Sequence, residues 1–220
     1  MKSLIKIAVT LFLFFTGMLI LFKFTGVLTL EKIELWMTAA KNTNPIYVAL
    51  IVAGLLFCDL FMAVPTLSIM LLAGYFLGPV YAFVAAIVGV LLAGLCGYFL
   101  SKKYGEKLLN SLISNPAERE DAIQTFQKHG PIIILLSRAT PVLPEVSACL
   151  AGITRMPFYR FLPLWLLSSV PYALIATYAG SVSSIQDPKP AIFAAIGLTT
   201  FFFMAWMLFK RINSKKLSGI

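Results

Sequence analysis

Charged residues are scarce in this chain: they make up 12% of its 220 residues, whereas hydrophobic residues make up 60%. Ordinary soluble domains carry about 25% charged residues. The mean hydropathy of +0.90 likewise excludes a surface built for water. The composition therefore predicts an all-α integral membrane protein, because a helix satisfies its own backbone hydrogen bonds in lipid.

Residues that hold metals or perform covalent catalysis are also few. The chain has one histidine, His129, and three cysteines, Cys58, Cys96 and Cys149, without paired spacing. We therefore expect packed thiols, no metal site and no cofactor. The sequence lacks a nucleophile elbow and a phosphate-cradling Gly-x-x-x-x-Gly-Lys-Ser/Thr loop, so it predicts neither an enzyme nor a nucleotide-driven pump.

The apolar residues fall into runs of unequal length that are separated by prolines. A hydrocarbon core of about 30 Å requires about 20 apolar residues in a helix, and the runs beside Pro65, Pro141 and Pro144 are shorter than that. Paired around these breaks, the short runs are predicted to form re-entrant helical hairpins. The predicted fold is about four transmembrane helices plus two opposed re-entrant hairpins.

The basic residues select the orientation of this fold. The net charge is +9, from 18 Lys and Arg against 9 Asp and Glu. If both hairpins return to the face they entered, most basic residues share the face of both termini, and only Lys23, Lys32, Lys41 and Lys189 lie opposite. That face is predicted to be cytoplasmic, most simply in a bacterial cytoplasmic membrane. A nucleic-acid partner is the weaker explanation of the charge, and none is expected.

The chain divides into three predicted parts. Residues 1–44 form an N-terminal transmembrane helix and outer connector, and residues 182–220 form a C-terminal transmembrane helix and basic tail. The middle part, 45–181, consists of a hairpin (45–78), a transmembrane helix (79–101), a cytosolic connector (102–130), a second hairpin (131–156) and a transmembrane helix (157–181).

The connector has its own helix signals. Asn115, Pro116 and Glu118 predict a helix start, through an N-cap, a first-turn proline and a capping acid. His129, followed by Gly130 and Pro131, predicts the end of that helix. We interpret His129 as a residue that interacts with the last carbonyl groups of this helix.

Two segments of the middle part repeat at one constant offset. Five residues recur in both copies: Ala73, Gly74, Pro79, Tyr81 and Phe83, and then Ala151, Gly152, Pro157, Tyr159 and Phe161. Each copy closes a proline-broken segment and opens a long span, and the predicted hairpins insert from opposite faces. This pattern is typical of an inverted repeat of the kind used in transport, with Gly74 and Gly152 as repeat turns. A structural duplication without transport is the alternative.

A ladder of small residues runs along the span that follows the first hairpin. Ala85, Gly89, Ala93 and Gly97 recur at every fourth position, which allows helices to approach closely. The ladder predicts helix packing or self-association, and a homo-oligomer remains open.

Three charged residues lie in the predicted hairpins: Asp59 in the first, and Arg138 and Glu145 in the second. Inserting such a group into hydrocarbon costs about 2.5 to 3.5 kcal/mol, so it is normally paired or lines a polar cavity. A guanidinium suits phosphate, and a carboxylate in a low dielectric can exchange a proton near neutral pH. We predict that Arg138, Asp59 and Glu145 bind substrate or ion. The alternative is that Asp59 and Arg138 form an ion pair that only ties the hairpins together.

The order of several motifs resembles the DedA-like superfamily, also called the VTT-domain or SNARE-associated family. The motifs are Pro65 followed by Ala73-Gly74-Tyr-Phe-Leu-Gly, Gly97-Tyr98 through Lys103-Tyr104-Gly105, Phe126-Gln-Lys-His-Gly130, Ser137-Arg138-Ala-Thr-Pro141, and Ala151-Gly152-Ile-Thr-Arg-Met156-Pro157-Phe158. The resemblance covers residues 46–181. It implies opposed hairpins on transmembrane helices and the movement of phospholipids or polyprenyl-phosphate carriers between leaflets.

The chain departs from the family pattern at several positions. Asp59 is shifted by one position from the first expected acid, and Leu67 occupies the place of the second. The second expected arginine falls on Pro144. Only Arg138 carries over as a family functional residue, which indicates a divergent branch.

The leading functional hypothesis is a translocase or scramblase for phospholipid or polyprenyl-phosphate lipid, with membrane lipids as its partners and proton coupling left open. One alternative is an ion- or proton-coupled transporter of small solutes. Another is a membrane scaffold or assembly factor without transport.

Overall fold

The computed structural model describes residues 2–25, 35, 44–62, 64–113, 115–139, 142–183 and 189–217. Within these residues the chain is helical, with no strand. The helices are α1 (Lys2–Thr25), α2 (Pro45–Met62), α3 (Thr66–Leu112), α4 (Pro116–Leu135), α5 (Leu143–Ile153), α6 (Phe158–Ser181) and α7 (Lys189–Leu217), with a 3-10 turn at Ser137–Ala139 between α4 and α5. The predicted all-α class is confirmed.

The outer surface of the helices is strongly apolar. Val80, Phe193 and Phe201 are 68%, 71% and 66% exposed, and many other large hydrophobic side chains are exposed with them. Two helical segments, Thr66–Gly105 and Phe158–Ser181, are long and apolar enough to cross a membrane. Such a surface is unfavourable in water and favourable in lipid, as expected of an integral membrane protein.

Helix α3 bends sharply near its start. Gly78 has φ 74° and ψ 173°, a conformation open essentially only to glycine, and Pro79 follows it. The bend divides α3 into a short limb at 66–77 and a long limb at 79–112. Gly74, which was predicted to turn the chain, instead lies inside the short limb, and the turn is made at Gly78.

Gly74 and Gly152 are positions of close helix contact. A Cβ atom on Gly74 would lie 2.1 Å from the carbonyl oxygen of Thr177 in α6. A Cβ atom on Gly152, in the last turn of α5, would lie 2.2 Å from the carbonyl oxygen of Tyr98 in α3. The turn after Gly152 is made three residues later, at Arg155, with φ 53°. Both glycines are therefore needed because another backbone occupies the space of a side chain.

The prolines of the predicted breaks occupy different kinds of position. Pro65 lies between α2 and α3. Pro144 lies in the first turn of α5, where a missing N–H removes no helical hydrogen bond, and the break before it contains Val142 at φ 70°. Pro141 lies outside the described residues.

The connector is more helical than the sequence indicates, because α3 continues past the predicted boundary at residue 101 to Leu112. The start of α4 follows the prediction: the side chain of Asn115 accepts a hydrogen bond from the Ala117 amide, 3.0 Å away. The predicted end at 129–131 is wrong. The helix continues to Leu135 because its buried face, Ala122, Phe126, Gly130 and Ile134, runs through Pro131 unbroken.

The long limb of α3 lies at the centre and contacts α2, α5 and α6. The small-residue ladder contributes to this packing, because a Cβ atom on Gly89 would lie 2.6 Å from the carbonyl oxygen of Ala53 in α2. A Cβ atom on Gly97 would lie 3.0 Å from the Cδ1 atom of Leu60, also in α2. The ladder is thus used within the chain, and this face is not available for self-association.

Candidate functional site

The three charged residues predicted from the sequence line one cavity. Asp59 comes from the end of α2, Arg138 from the 3-10 turn, and Glu145 from the first turn of α5. The remaining lining residues are Leu56, Leu60, Val90, Ala93, Gly94, Ala148 and Trp165. The cavity between them is narrow and leaves room for about one water molecule.

Asp59 closes the break between α2 and α3. It is 6% exposed, and its Oδ1 accepts a hydrogen bond from the Val64 amide at 2.6 Å. Its Oδ2 accepts a hydrogen bond from the Thr66 hydroxyl, also at 2.6 Å. Pro65, at the N-cap of α3, has no side-chain cap, so the carboxylate supplies the negative charge that a helix start favours. Both oxygens of Asp59 therefore have local partners.

Arg138 is held by α6. Its Nη2 donates a hydrogen bond to the Ser169 hydroxyl at 3.0 Å. Its guanidinium carbon lies 5.6 Å from the ring centre of Trp165 and 5.4 Å from that of Tyr172. Residues 165, 169 and 172 share one face of α6, because they are four and three positions apart. None of these three residues was predicted from the sequence, although their spacing places them on one face of an apolar helix.

Part of the guanidinium remains without a partner. The Nε atom of Arg138 is buried and makes no hydrogen bond within the described part of the chain. Asp59 and Glu145 are close enough to interact electrostatically with Arg138, but its hydrogen bond goes to Ser169. The predicted ion pair with Asp59 is therefore not a hydrogen-bonded contact.

Glu145 faces Asp59 across the cavity. The two carboxyl groups interact electrostatically, and repulsion between two buried carboxylates favours a proton on one of them. The Oε2 atom of Glu145 is buried and has no hydrogen-bond partner among the described residues. Because Asp59 already accepts two hydrogen bonds, Glu145 is the better carrier of that proton.

Metal-binding groups do not converge in the described ranges, where no cluster of three His, Cys, Asp or Glu side chains is present. Cys58, Cys96 and Cys149 are free thiols. His129 is half-buried within α4, six residues before the helix ends at Leu135. It therefore lies inside the helix rather than at its end.

Comparison with known proteins identifies the family of this chain. The VTT domain matches residues 64–182, more than half of the chain. "Undecaprenyl phosphate transporter A" of Bacillus subtilis is 27% identical over 108 residues, which cover 47% of this chain and 54% of that protein. "Protein DedA" of Escherichia coli K12 is 29% identical over 111 residues, covering 47% and 49%. An uncharacterized membrane protein of Synechocystis is 28% identical over 146 residues, covering 59% and 67%.

The chain spans about half the length of the first two of these relatives. No solved structure matches it significantly. The VTT match begins at the break after α2 and ends just after α6, so it contains Arg138, Glu145 and the α6 face that contacts Arg138. The chain belongs to the VTT-domain family of DedA-like membrane proteins.

Proposed function

We propose that this protein moves a phosphate-bearing lipid, either a phospholipid or a polyprenyl phosphate, between the leaflets of the membrane. The observation that carries the proposal is the state of Arg138, which lines a cavity inside an apolar helical bundle. Its Nε is buried and has no hydrogen-bond partner among the residues that the structure describes. A buried cation with a free donor is costly unless a ligand uses it. A phosphate oxyanion fits that donor by charge and geometry.

The name of the Bacillus subtilis relative supports the substrate class, since that protein is called an undecaprenyl phosphate transporter. For this chain the polyprenyl phosphate is a proposal, because the similarity covers about half of each protein. A phospholipid headgroup offers the same phosphate chemistry, and the experiment below separates the two lipids.

The proposed membrane arrangement is two re-entrant hairpins that insert from opposite faces among four transmembrane helices. Residues 66–77 and α5 have lengths of about 18 and 16 Å at 1.5 Å per residue, about half of a 30 Å hydrocarbon core. The contacts of Gly74 on α6 and of Gly152 on α3 are reciprocal, which supports an inverted repeat. The positive-inside tendency favours cytoplasmic termini in a bacterial inner membrane.

The cavity is narrow, with room for about one water molecule. A phosphate headgroup requires the hairpins to separate, which opens the cavity to one leaflet at a time. The lipid tail stays in the bilayer, because only the polar headgroup needs protein to cross the apolar core.

Glu145 provides a route to proton coupling. It lies near Asp59 and Arg138, and its Oε2 has no hydrogen-bond partner in the described part of the chain. When phosphate binds Arg138, a protonated Glu145 donates to a phosphate oxygen, and loss of that proton repels the anion. A proton gradient would then bias the direction of lipid movement. Without this coupling, the protein equilibrates the two leaflets as a scramblase.

The test is leaflet exchange in liposomes that contain the purified protein. Fluorescent undecaprenyl phosphate and fluorescent phosphatidylglycerol are followed separately in wild type, Arg138→Ala and Arg160→Ala. Arg160 is an exposed arginine beside Tyr159 and is the matched control. We expect Arg138→Ala to slow exchange by about tenfold or more, because it removes one charge-assisted hydrogen bond to the phosphate. Arg160→Ala should stay near wild type.

Two outcomes would redirect the proposal. Ion or solute flux without lipid exchange would favour a small-solute transporter. Wild-type protein without any exchange or flux would favour a scaffold.

A further inference from the structure

We propose that Trp165 and Tyr172 are positioning residues: their rings hold the Arg138 guanidinium in place while leaving its charge and its Nε donor available to a phosphate oxyanion. The inference rests on the proposed function, since it names how the same site keeps its arginine ready. Neither aromatic residue was predicted as part of the site from the sequence.

Aromatic partners leave the charge of Arg138 and its Nε donor free for a ligand. A carboxylate that pairs with a guanidinium neutralises its charge and occupies two of its donors. An aromatic ring attracts the cation through its quadrupole and neutralises nothing. With both ring centres within 5.6 Å of its guanidinium carbon, Arg138 is stabilised in the apolar interior, while its Nε makes no hydrogen bond to any described residue.

Both rings are themselves anchored to other helices. The Trp165 Nε1 donates a hydrogen bond to the Val90 carbonyl in α3 at 3.2 Å, and its indole fills the space next to Gly94. The Tyr172 ring contacts Phe202 of α7 at 6.0 Å between ring centres. The guanidinium is thus fixed relative to α3 and α7, although Arg138 lies on a turn of three residues.

The third contact completes the alignment. Ser169 lies between the two aromatic residues on the same face of α6 and accepts a hydrogen bond from Nη2. Nη2 and the rings therefore fix the guanidinium from the α6 side, and the unbonded Nε leaves one edge for a ligand. The cavity also holds the unbonded Oε2 of Glu145, so its free groups suit an oxyanion that can accept one hydrogen bond from each residue.

The experiment compares four substitutions, at Tyr172, Arg138 and Trp165, in the purified protein in detergent. Tyr172→Phe keeps the ring, Tyr172→Leu removes it, and Arg138→Lys keeps the charge but loses the planar fork. The probe is a short-chain polyprenyl monophosphate, and the polyprenol of the same chain length reports contacts with the tail alone. Affinity for each is measured by calorimetry, and the melting temperature without ligand reports folding.

We expect Tyr172→Leu and Arg138→Lys to weaken phosphate binding by about tenfold or more and to leave polyprenol binding unchanged. Tyr172→Phe should bind phosphate within about twofold of wild type. Trp165→Phe keeps a ring, so it should also retain most phosphate binding even if its melting temperature falls with the lost Val90 hydrogen bond. A purely structural role would lower melting temperature without separating phosphate from polyprenol.

Equal phosphate affinity for Tyr172→Leu and Tyr172→Phe would overturn the inference, as would wild type that binds phosphate no better than polyprenol. Leaflet exchange then reports on the proposed function separately. Ring-dependent phosphate binding in a protein that exchanges no lipid would support the aromatic positioning and reject lipid transport. Normal lipid exchange in a protein whose phosphate binding does not depend on the ring would support lipid transport and reject the aromatic positioning.

Discussion

The two proline-broken regions satisfy their buried charges in different ways. In the first, both oxygens of Asp59 accept hydrogen bonds from Val64 and Thr66, the residues on either side of Pro65. In the second, Arg138 Nε and Glu145 Oε2 are buried without partners within the described residues. Native proteins satisfy the great majority of their buried polar groups, so groups left over indicate a place for a ligand or a proton. We therefore propose that the first region holds the fold and that the second binds the ligand.

In their packing, by contrast, the two regions are alike. The short limb before Gly78 contacts α6 through Gly74, and α5 contacts α3 through Gly152. In both cases a backbone carbonyl oxygen occupies the space that a side chain would need. The regions therefore share a scaffold and differ in chemistry, which separates substitutions that affect folding from those that affect transport.

The largest expected effect comes from the shared scaffold. Gly74→Ala and Gly152→Ala each place a Cβ atom within 2.2 Å of a backbone oxygen, which only movement of a helix can relieve. We expect each to destabilise the protein by about 3 kcal/mol or more. The measurement is the melting temperature of purified protein in detergent, followed by helix content.

Gly54→Ala is the matched control, because nothing lies within 4 Å of its added Cβ atom. This change lies in a helix interior and should be neutral or stabilising by about 0.5 to 1 kcal/mol. If Gly74→Ala is tolerated while Gly152→Ala is not, the two regions do not share a scaffold.

The next prediction separates the two acids. Asp59→Asn weakens two charge-assisted hydrogen bonds across the break and should cost about 2 to 3 kcal/mol of stability. Glu145→Gln removes a group with an unbonded oxygen and should leave stability nearly unchanged. Lipid exchange per folded molecule should show the opposite order, because Glu145→Gln loses any dependence on an imposed pH gradient while Asp59→Asn keeps it.

This experiment requires melting curves and exchange assays on the same preparations, with the folded fraction measured by size-exclusion chromatography. Equal loss of melting temperature in both variants would contradict the division of roles. A pH-gradient response that survives Glu145→Gln and disappears in Asp59→Asn would move the proton carrier to the first region.

The sequence was sufficient to predict the helical class, the family resemblance and a polar site lined by three charged residues. Burying a charge in hydrocarbon is costly, which is why Asp59, Arg138 and Glu145 were predicted to line a polar site, and they line one cavity. Trp165 and Tyr172 were missed because aromatic residues on a transmembrane helix are as typical of lipid contact as of cation binding.

Local sequence signals gave wrong predictions where tertiary packing determines the conformation of the backbone. Gly74 was taken for the turn because it belongs to the repeat, yet its role is a contact with α6, and Gly78 bends the chain. Gly130 and Pro131 are normal helix-ending signals, but the buried face of α4 continues past them to Ile134. A single missing hydrogen bond at Pro131 is a smaller cost than exposing that face.

The smallest effect predicted here tests the Asp59 contact from its other side. Thr66→Val keeps the side-chain shape but removes the hydroxyl that donates to Asp59, so one of the two charge-assisted bonds is lost. We expect a loss of about 1 to 2 kcal/mol in stability, less than for Asp59→Asn because the Val64 amide still donates to the carboxylate. Thr66→Ser keeps the hydroxyl and should lie within about 0.5 kcal/mol of wild type. Melting temperatures measured at one detergent concentration provide the comparison.

Because Thr66 is not among the cavity-lining residues, neither change should alter lipid exchange per folded molecule. A stable Thr66→Val variant with impaired exchange would show that the first region takes part in transport as well as in holding the fold.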